Sequence, residues 1–400
     1  VTTWLTSPPA LSLAEPARPQ PDRDTGPSLR VLHLYKSWAP AGYGGVEQMI
    51  ATLGVGAGAH GIVSRVAYLG PGRGIARVRY RGIGAYRFPL NLHVASTGLS
   101  LSWAAAYPRL TEWADVLHFH FPWPYGDLVH LGSGVRKPML VTYHLDITRQ
   151  RILRWLYWPL MQRFLRRADL IVATSENVRR TSSVLQRLAH RTEVIPLGVD
   201  DRCAGQVVPI RLAQWRHRLG EGFALFVGVL RYYKGLPYLL EAARSIRGRI
   251  VIAGTGPCER ALKRQARRLR LSNVVFVGEV TEADKEALYR LCHVFVFPSH
   301  LRSEGFGLAL VEAAMHGKPM VSCEIGTGTS FVNRHGETGL VVPPRDPAAL
   351  SDAVNRLLAD RWERDAFGRN ARQRYVDRFT ADAMSAAYTT VYRRLAEGAQ

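Results

Sequence analysis

The chain reads as an α/β protein of two Rossmann-like, doubly wound domains facing each other across a cleft, and three features lead there. Short apolar runs alternate with longer mixed segments from residue 30 onward, which is how repeated βαβ units and a parallel sheet look in sequence. The pattern runs twice, on either side of a turn-rich stretch. Length agrees, because 400 residues at roughly 150 per domain fill two or three domains.

Residues 1–29 hold Pro8, Pro9, Pro16, Pro19, Pro21 and Pro27 and lack the positive start and apolar core of a signal peptide, so they are expected to form a disordered leader. The first domain is expected over 30–203, with buried strands at 29–35, 62–68, 115–119, 138–143, 170–174 and 192–195. Pro196-Leu197-Gly198-Val199-Asp200 and the polar stretch up to about Gly222 suit a hinge. The second domain is expected over 204–378, with strands at 224–229, 250–253, 274–277, 294–297 and 319–322. Helices at 348–358, 361–379 and 381–397 are amphipathic and charged, and residues 379–400 are expected to pack back against the first domain.

Composition narrows the function. With 47% hydrophobic and 21% charged residues the chain is globular. Lys and Arg number 53 against 32 Asp and Glu, a net charge of +21 shared by both halves, which favours anionic partners: phosphates, acidic lipids or RNA. There is no basic tail and no aromatic-basic RNA module, which argues against a nucleic-acid partner. Cys203, Cys258, Cys292 and Cys323 are too few and too far apart for a disulfide framework and form no CxxC pair, which fits a reducing cytoplasm. Every apolar run is broken by arginine or proline before the roughly 18 residues of a membrane span. Membrane contact is therefore expected to be peripheral.

The strongest chemical signal is Ser303-Glu304-Gly305-Phe306-Gly307-Leu308-Ala309-Leu310-Val311-Glu312, two carboxylates eight residues apart around a glycine-rich helix start. Gly305 and Gly307 allow close backbone approach to a ligand, and the first amides of a helix beginning near Gly307 suit an anion. Glu312 falls inside an apolar stretch, where an unpaired carboxylate costs several kcal/mol, so it requires partners. Those partners are either sugar hydroxyls or a buried arginine, and Glu304 is either a ligand group or a solvated loop residue. Phe297-Pro298-Ser299 upstream and Ala313-Ala314-Met315-His316-Gly317-Lys318-Pro319 downstream complete the pattern.

With these segments the chain, from about residue 31 to 395, resembles the retaining glycosyltransferases of family 4, of two-domain GT-B architecture, whose signature is the Glu-x7-Glu spacing. The resemblance implies a hexose transferred from a nucleotide-diphosphate sugar, with Glu304 on the hexose and Glu312 on the ribose. The backbone of Gly305, Phe306, Gly307 and Leu308 would meet the donor. Phe226-Val227-Gly228-Val229-Leu230-Arg231-Tyr232-Tyr233-Lys234-Gly235 is similar to the loop that sets an arginine and a lysine against the diphosphate. Val229 stands where the family commonly has the arginine; Arg231, two residues on, faces the same side of an extended backbone. Gly42-Tyr43-Gly44-Gly45-Val46-Glu47 resembles the family's glycine-rich loop, giving Gly44 and Gly45 a place on the donor phosphate. His144 in Val141-Thr142-Tyr143-His144-Leu145-Asp146 would touch the donor sugar, and Glu279 and Val280 would hold the base through main-chain groups. His118 and His120 either line the acceptor side or pack in the core.

Ile252-Ala253-Gly254-Thr255-Gly256-Pro257 opens like a dinucleotide fingerprint, but Glu259 replaces the third glycine, so a tight strand-to-helix turn is the better reading. The only Asp-x-Asp, Asp22-Arg23-Asp24, lies in the leader. The resemblance thus implies no metal and no cofactor, with Arg231, Lys234 and helix N-termini stabilising the leaving diphosphate. Residues 322–333 look like the branch of bacterial mannosyl- and rhamnosyltransferases that build O-antigen or exopolysaccharide. That branch implies GDP-mannose or GDP-rhamnose as donor and a polyprenyl-diphosphate-linked glycan as acceptor. Residues 149–167, six arginines with Trp155, Tyr157 and Trp158, suit either an interfacial helix on an anionic membrane surface or a core helix with a solvated face. A nucleotide-sugar epimerase of the same shape and a basic nucleic-acid-binding protein are the alternatives.

Overall fold

The computed structural model describes residues 28–39, 44–94, 97–147, 151–201 and 209–398; the side chains of Val94 and of residues 151–154 are not described. Most of the leader, Gly42 and Tyr43, and Cys203 lie outside these residues.

The first sheet contains β1 (Leu29–Leu34), β2 (Ile62–Gly70), β3 (Ala76–Tyr80), β4 (Ile83–Pro89), β7 (Val116–Phe121), β8 (Met139–Tyr143), β9 (Leu170–Ala173) and β10 (Thr192–Val194). Its order is β10-β9-β8-β7-β1-β2-β4-β3, parallel except for the antiparallel β3. A hairpin of β5 (Leu92–Val94) and β6 (Thr97–Leu99) stands apart. The second sheet contains β11 (Ala224–Val227), β12 (Ile250–Ala253), β13 (Val274–Gly278), β14 (Val294–Phe297), β15 (Met320–Cys323) and β16 (Gly339–Val342). It is all parallel, in the order β13-β12-β11-β14-β15-β16. The central strands are buried from end to end because helices cover both faces.

Several differences from the sequence reading have physical causes, and β4, β5 and β6 are further strands that it lacks. The leader is expected over 1–29, but Leu29 already pairs with Ile62 in β1. β3 is Ala-Arg-Val-Arg-Tyr, a half-exposed edge strand that alternates and so lacks a continuous apolar run. β16 is a four-residue strand at an edge of the second sheet. The polar stretch assigned to the hinge contains a helix, Pro209–Leu219. Leu212, Trp215 and Leu219 line its inner face among basic residues, and Trp215 donates to Asp284 at 3.0 Å.

The chain returns to the first domain as expected. Val199 N donates to Phe379 O and Ala381 N to Val199 O, both at 3.0 Å, stitching the crossing to the 196–200 stretch. The helix Ala381–Glu397 then buries Met384, Ser385, Tyr388, Val391 and Tyr392, a stripe of helical period that packs on the helix Gly45–Gly58. Arg302 pairs with Asp146 at 2.7 Å, and Asn177 donates to Thr327 O at 3.1 Å and Ser330 Oγ at 2.9 Å. The two domains therefore meet along one side of the cleft.

Candidate active site

Ligands of doubly wound sheets bind outside the carboxyl ends of the strands. In the second sheet β11 and β14 are neighbours, and the loops that leave them converge. Gly235 makes this possible: its φ is +71°, and a Cβ there would lie 1.8 Å from the Pro298 carbonyl oxygen. The approach puts Lys234 Nζ 2.6 Å from Glu304 Oε2, with Ser299 Oγ donating to the same oxygen at 3.3 Å. Glu304 is only 8% exposed. The solvated-loop alternative therefore fails. Leu230 N donates to Thr255 O at 2.9 Å, so the 254–256 turn props the loop from which Arg231 projects. Arg231 is exposed, hydrogen-bonds Tyr233, and its charge acts on Tyr35 and Lys36 beyond the end of β1. Burial lowers the Lys36 pKa, Glu47 opposes that shift, and Arg231 adds to it. Three cations thus belong to this region. Lys36 carried no sequence signal of its own.

Gly307, at φ +87°, precedes the helix Leu308–Met315, which buries Glu312 to 5% exposure. Its partners come from the helix Glu282–Leu291: Lys285 Nζ at 2.7 Å and Tyr289 OH at 3.2 Å. The cation is thus a lysine, not the arginine weighed from sequence. Gly305 and Leu308 touch the first domain, while Phe306 packs on Phe379 with ring centroids 6.1 Å apart. Leu308 lies under Gly45, whose Cβ would sit 3.4 Å from Leu308 Cδ1, while a Cβ on Gly305 would come 2.1 Å from the His144 carbonyl oxygen. Gly305→Ala is expected to wedge the cleft open. A misplacement near 1 Å lowers turnover about a hundredfold, and the circular-dichroism melting curve should stay unchanged, since the clash lies between domains. Full activity in this variant would show that the contact is not part of the working state.

On the first domain, Gly44 precedes the helix that starts at Gly45, and Glu47 in its first turn accepts from Ser37 Oγ at 2.6 Å. Glu279 is exposed and Val280 half-buried just after β13; Gly254 N donates to Gly278 O at 2.7 Å, which ties that end of β13 to β12. His144 follows β8, and its amide donates to Phe121 O at 3.2 Å. His118 and His120 in β7 are buried, so they pack in the core and do not line an open acceptor face. His120 bridges His33 of β1 and His144, at 3.1 Å on each side. Burial pushes His33 and His144 down to about 3, and His118 and His120 also fall well below 6.5. These imidazoles are neutral at physiological pH.

Among the described residues His33, His118 and His120 are the cluster close enough to share an ion, their nitrogens lying within 4.8 Å of one another. His118 Nδ1 already meets Tyr392 OH at 2.8 Å and His118 Nε2 meets Thr142 Oγ1 at 2.7 Å. The cluster is built as a hydrogen-bond network.

Comparison with known proteins bears directly on this arrangement. The family model described as Glycosyltransferase Family 4 matches residues 43–202, and that described as Glycosyl transferases group 1 matches residues 210–374. The chain is 48% identical over 353 residues to the D-rhamnosyltransferase WbpZ of Pseudomonas aeruginosa, covering 88% of this chain and 93% of that one. It is 42% identical over 369 residues to the O-antigen chain mannosyltransferase C of Escherichia coli, covering 92% and 99%. Among solved structures, a sucrose-phosphate synthase from Thermosynechococcus elongatus superposes with a TM-score of 0.76 at 22% identity, over 92% of this chain and 100% of that one. Anabaena HepE superposes with a TM-score of 0.75 at 19% identity over the same shares. These two likenesses show the fold. With both domain models matched and relatives similar along nearly their whole length, the chain belongs to the family 4 glycosyltransferases and is a glycosyltransferase.

Proposed function

We propose that this glycosyltransferase moves mannose or D-rhamnose from a GDP-activated donor to a polyprenyl-diphosphate-linked glycan at the cytoplasmic face of the membrane, in surface polysaccharide synthesis and with retained configuration. The observation that carries the reading is the buried Lys234–Glu304 pair at the carboxyl edge of the second sheet, in a chain similar throughout to a rhamnosyl- and a mannosyltransferase. In this reading Glu304 accepts hydrogen bonds from the hexose, and Lys234 and Arg231 hold the diphosphate. Glu312 takes the ribose, and Glu279 and Val280 offer main-chain groups to the base. His144 meets the sugar from the first domain, where Gly44 and Gly45 close the phosphate side. The acceptor attacks on the face from which the diphosphate leaves, and the departing phosphate oxygen takes the acceptor proton. Positioned cations stabilise the developing charge without a metal ion.

The membrane half of the reading is supported by the helix Arg151–Arg167. Met161, Phe164 and Leu165 pack inward, while Trp155 is 75% exposed, Leu156 is exposed, and Arg163, Arg166 and Arg167 lie on the same helix. An exposed Trp-Leu pair on a helix that also carries exposed arginines suits an anionic lipid surface. No helix among the described residues is long and apolar enough to cross a membrane.

One experiment tests the whole. Purified protein is given GDP-mannose, GDP-rhamnose, UDP- and ADP-sugars with a polyprenyl-diphosphate glycan in anionic or zwitterionic vesicles. Transfer from GDP donors alone, an unchanged anomeric centre, indifference to chelator and salt-reversible binding to anionic vesicles are expected. Transfer from UDP-sugars only, an inverted product, loss with chelator or equal binding to neutral vesicles would overturn the corresponding part. The two favoured donors differ by the C6 hydroxyl, so their relative kcat/KM reports whether the pocket hydrogen-bonds that group.

A further inference from the structure

We propose that His33 and His120 are positioning residues that hold His144 as its Nδ1–H tautomer, so that this imidazole presents a hydrogen-bond donor to an oxygen of the transferred sugar. The inference rests on the reading of His144 as a sugar contact given above. His33, His120 and His144 come from β1, from β7 and from just after β8, neighbouring strands of the first sheet. His33 Nδ1 lies 3.1 Å from His120 Nε2, and His120 Nδ1 lies 3.1 Å from His144 Nε2. In both ring pairs the centroids lie 5.4 Å apart and the planes are 20° from parallel, so the rings meet edge to edge as in-plane hydrogen bonds require. A neutral imidazole has one donor and one acceptor nitrogen. Three neutral rings bonded in a row therefore have two self-consistent proton arrangements, and reversing one bond reverses the other.

In the first arrangement His33 Nδ1–H donates to His120 and His120 Nδ1–H donates to His144. His144 then carries its proton on Nδ1, and His33 Nε2 is a bare lone pair. In the second the protons run the other way, His144 Nδ1 is bare, and His33 Nε2 carries a proton. His33 Nε2 is buried and has no hydrogen-bond partner among the described residues. The second arrangement would therefore bury an N–H without an acceptor, which is the rarer and costlier defect in folded proteins. The far end of the chain thus decides what the near end shows. A lone imidazole in water prefers the opposite, Nε2–H form. His118 does not compete for these bonds, because Tyr392 and Thr142 hold its two nitrogens.

The test is long-range ¹⁵N–¹H spectroscopy of the full chain labelled with ¹⁵N-histidine, with His144 assigned from the His144→Ala spectrum. A protonated Nδ1 and a bare Nε2 are expected at His144 in the unsubstituted protein. His120→Phe, which can neither donate nor accept, should move His144 toward the Nε2–H form and lower kcat/KM for the donor about tenfold, leaving the acceptor KM unchanged. An Nε2–H His144 in the unsubstituted protein would overturn the proposal without need of any variant. Histidine resonances that shift on dialysis against a chelator would replace the relay with a metal site and also overturn it. A protonated Nδ1 together with full activity of His144→Ala would sink the sugar contact while leaving the tautomer lock in place.

Discussion

Glu304→Gln lowers kcat for sugar transfer about a thousandfold while the protein stays folded. The substitution keeps the shape of the side chain and removes the charge that faces Lys234 Nζ at 2.6 Å. Truncation to alanine is a poorer test, because it strands a lysine that is itself largely buried, and breaking a buried pair costs about 3 to 5 kcal/mol of stability. The amide oxygen of the substituted side chain can still accept from Lys234 and Ser299, so the loss falls on chemistry. Lys234→Gln should cost about as much. If the two act as one device, the double variant loses little more than either alone, about a thousandfold and not a millionfold. Steady-state rates of the three variants, set beside their melting curves, decide it. Losses that multiply would mean that lysine and glutamate serve separate steps, and an active Glu304→Gln would remove the carboxylate from the mechanism.

Much of this site was legible because its signals are local. Glu304 and Glu312 lie in one continuous segment with the glycines that open the helix between them, and the central parallel strands announce themselves as short buried runs. What could not be read depends on topology. Lys285 is 27 positions from Glu312, on the inner face of an amphipathic helix, and nothing distinguishes it there from any solvated lysine. His33 is a single polar residue in an apolar strand, which in sequence means a packed histidine. It acquires a role only because β1 is laid beside β7. Arg302 abuts the motif at Ser303, yet its partner Asp146 belongs to the other domain. Local spacing reveals groups that a motif carries within itself, whereas groups that complete one another across strands or across the cleft appear only once the sheets are formed.

Acidification is expected to unfold the first domain before the second. Burial pushes His33 and His144 down to about 3 and His130 down to about 4, against an ordinary 6.5. Below pH 6.5 the unfolded chain takes up protons at these sites that the folded chain refuses. Their contribution is therefore complete above pH 6.5 and drains away as pH falls toward 4 and then 3. Each such histidine costs about 1.4 kcal/mol per pH unit inside the window, and His118 and His120 act in the same direction. Asp127, bonded by Tyr157, opposes them: burial raises its pKa well above 3.8, so the folded form holds a proton that the unfolded form releases. One opposing carboxyl against five histidines leaves a net loss of stability as the pH falls below 6.5, drawn from a total of roughly 5 to 15 kcal/mol. In the second domain His293 and His300 are only partly buried, and burial lowers their pKa values. Amide exchange followed from pH 7 to pH 4 should show β1, β7 and β8 losing protection while β11 and β14 keep theirs. Simultaneous loss in both sheets, or an unshifted acid midpoint when His118 and His120 are replaced by phenylalanine, would show that these buried imidazoles do not set the acid limit of the fold.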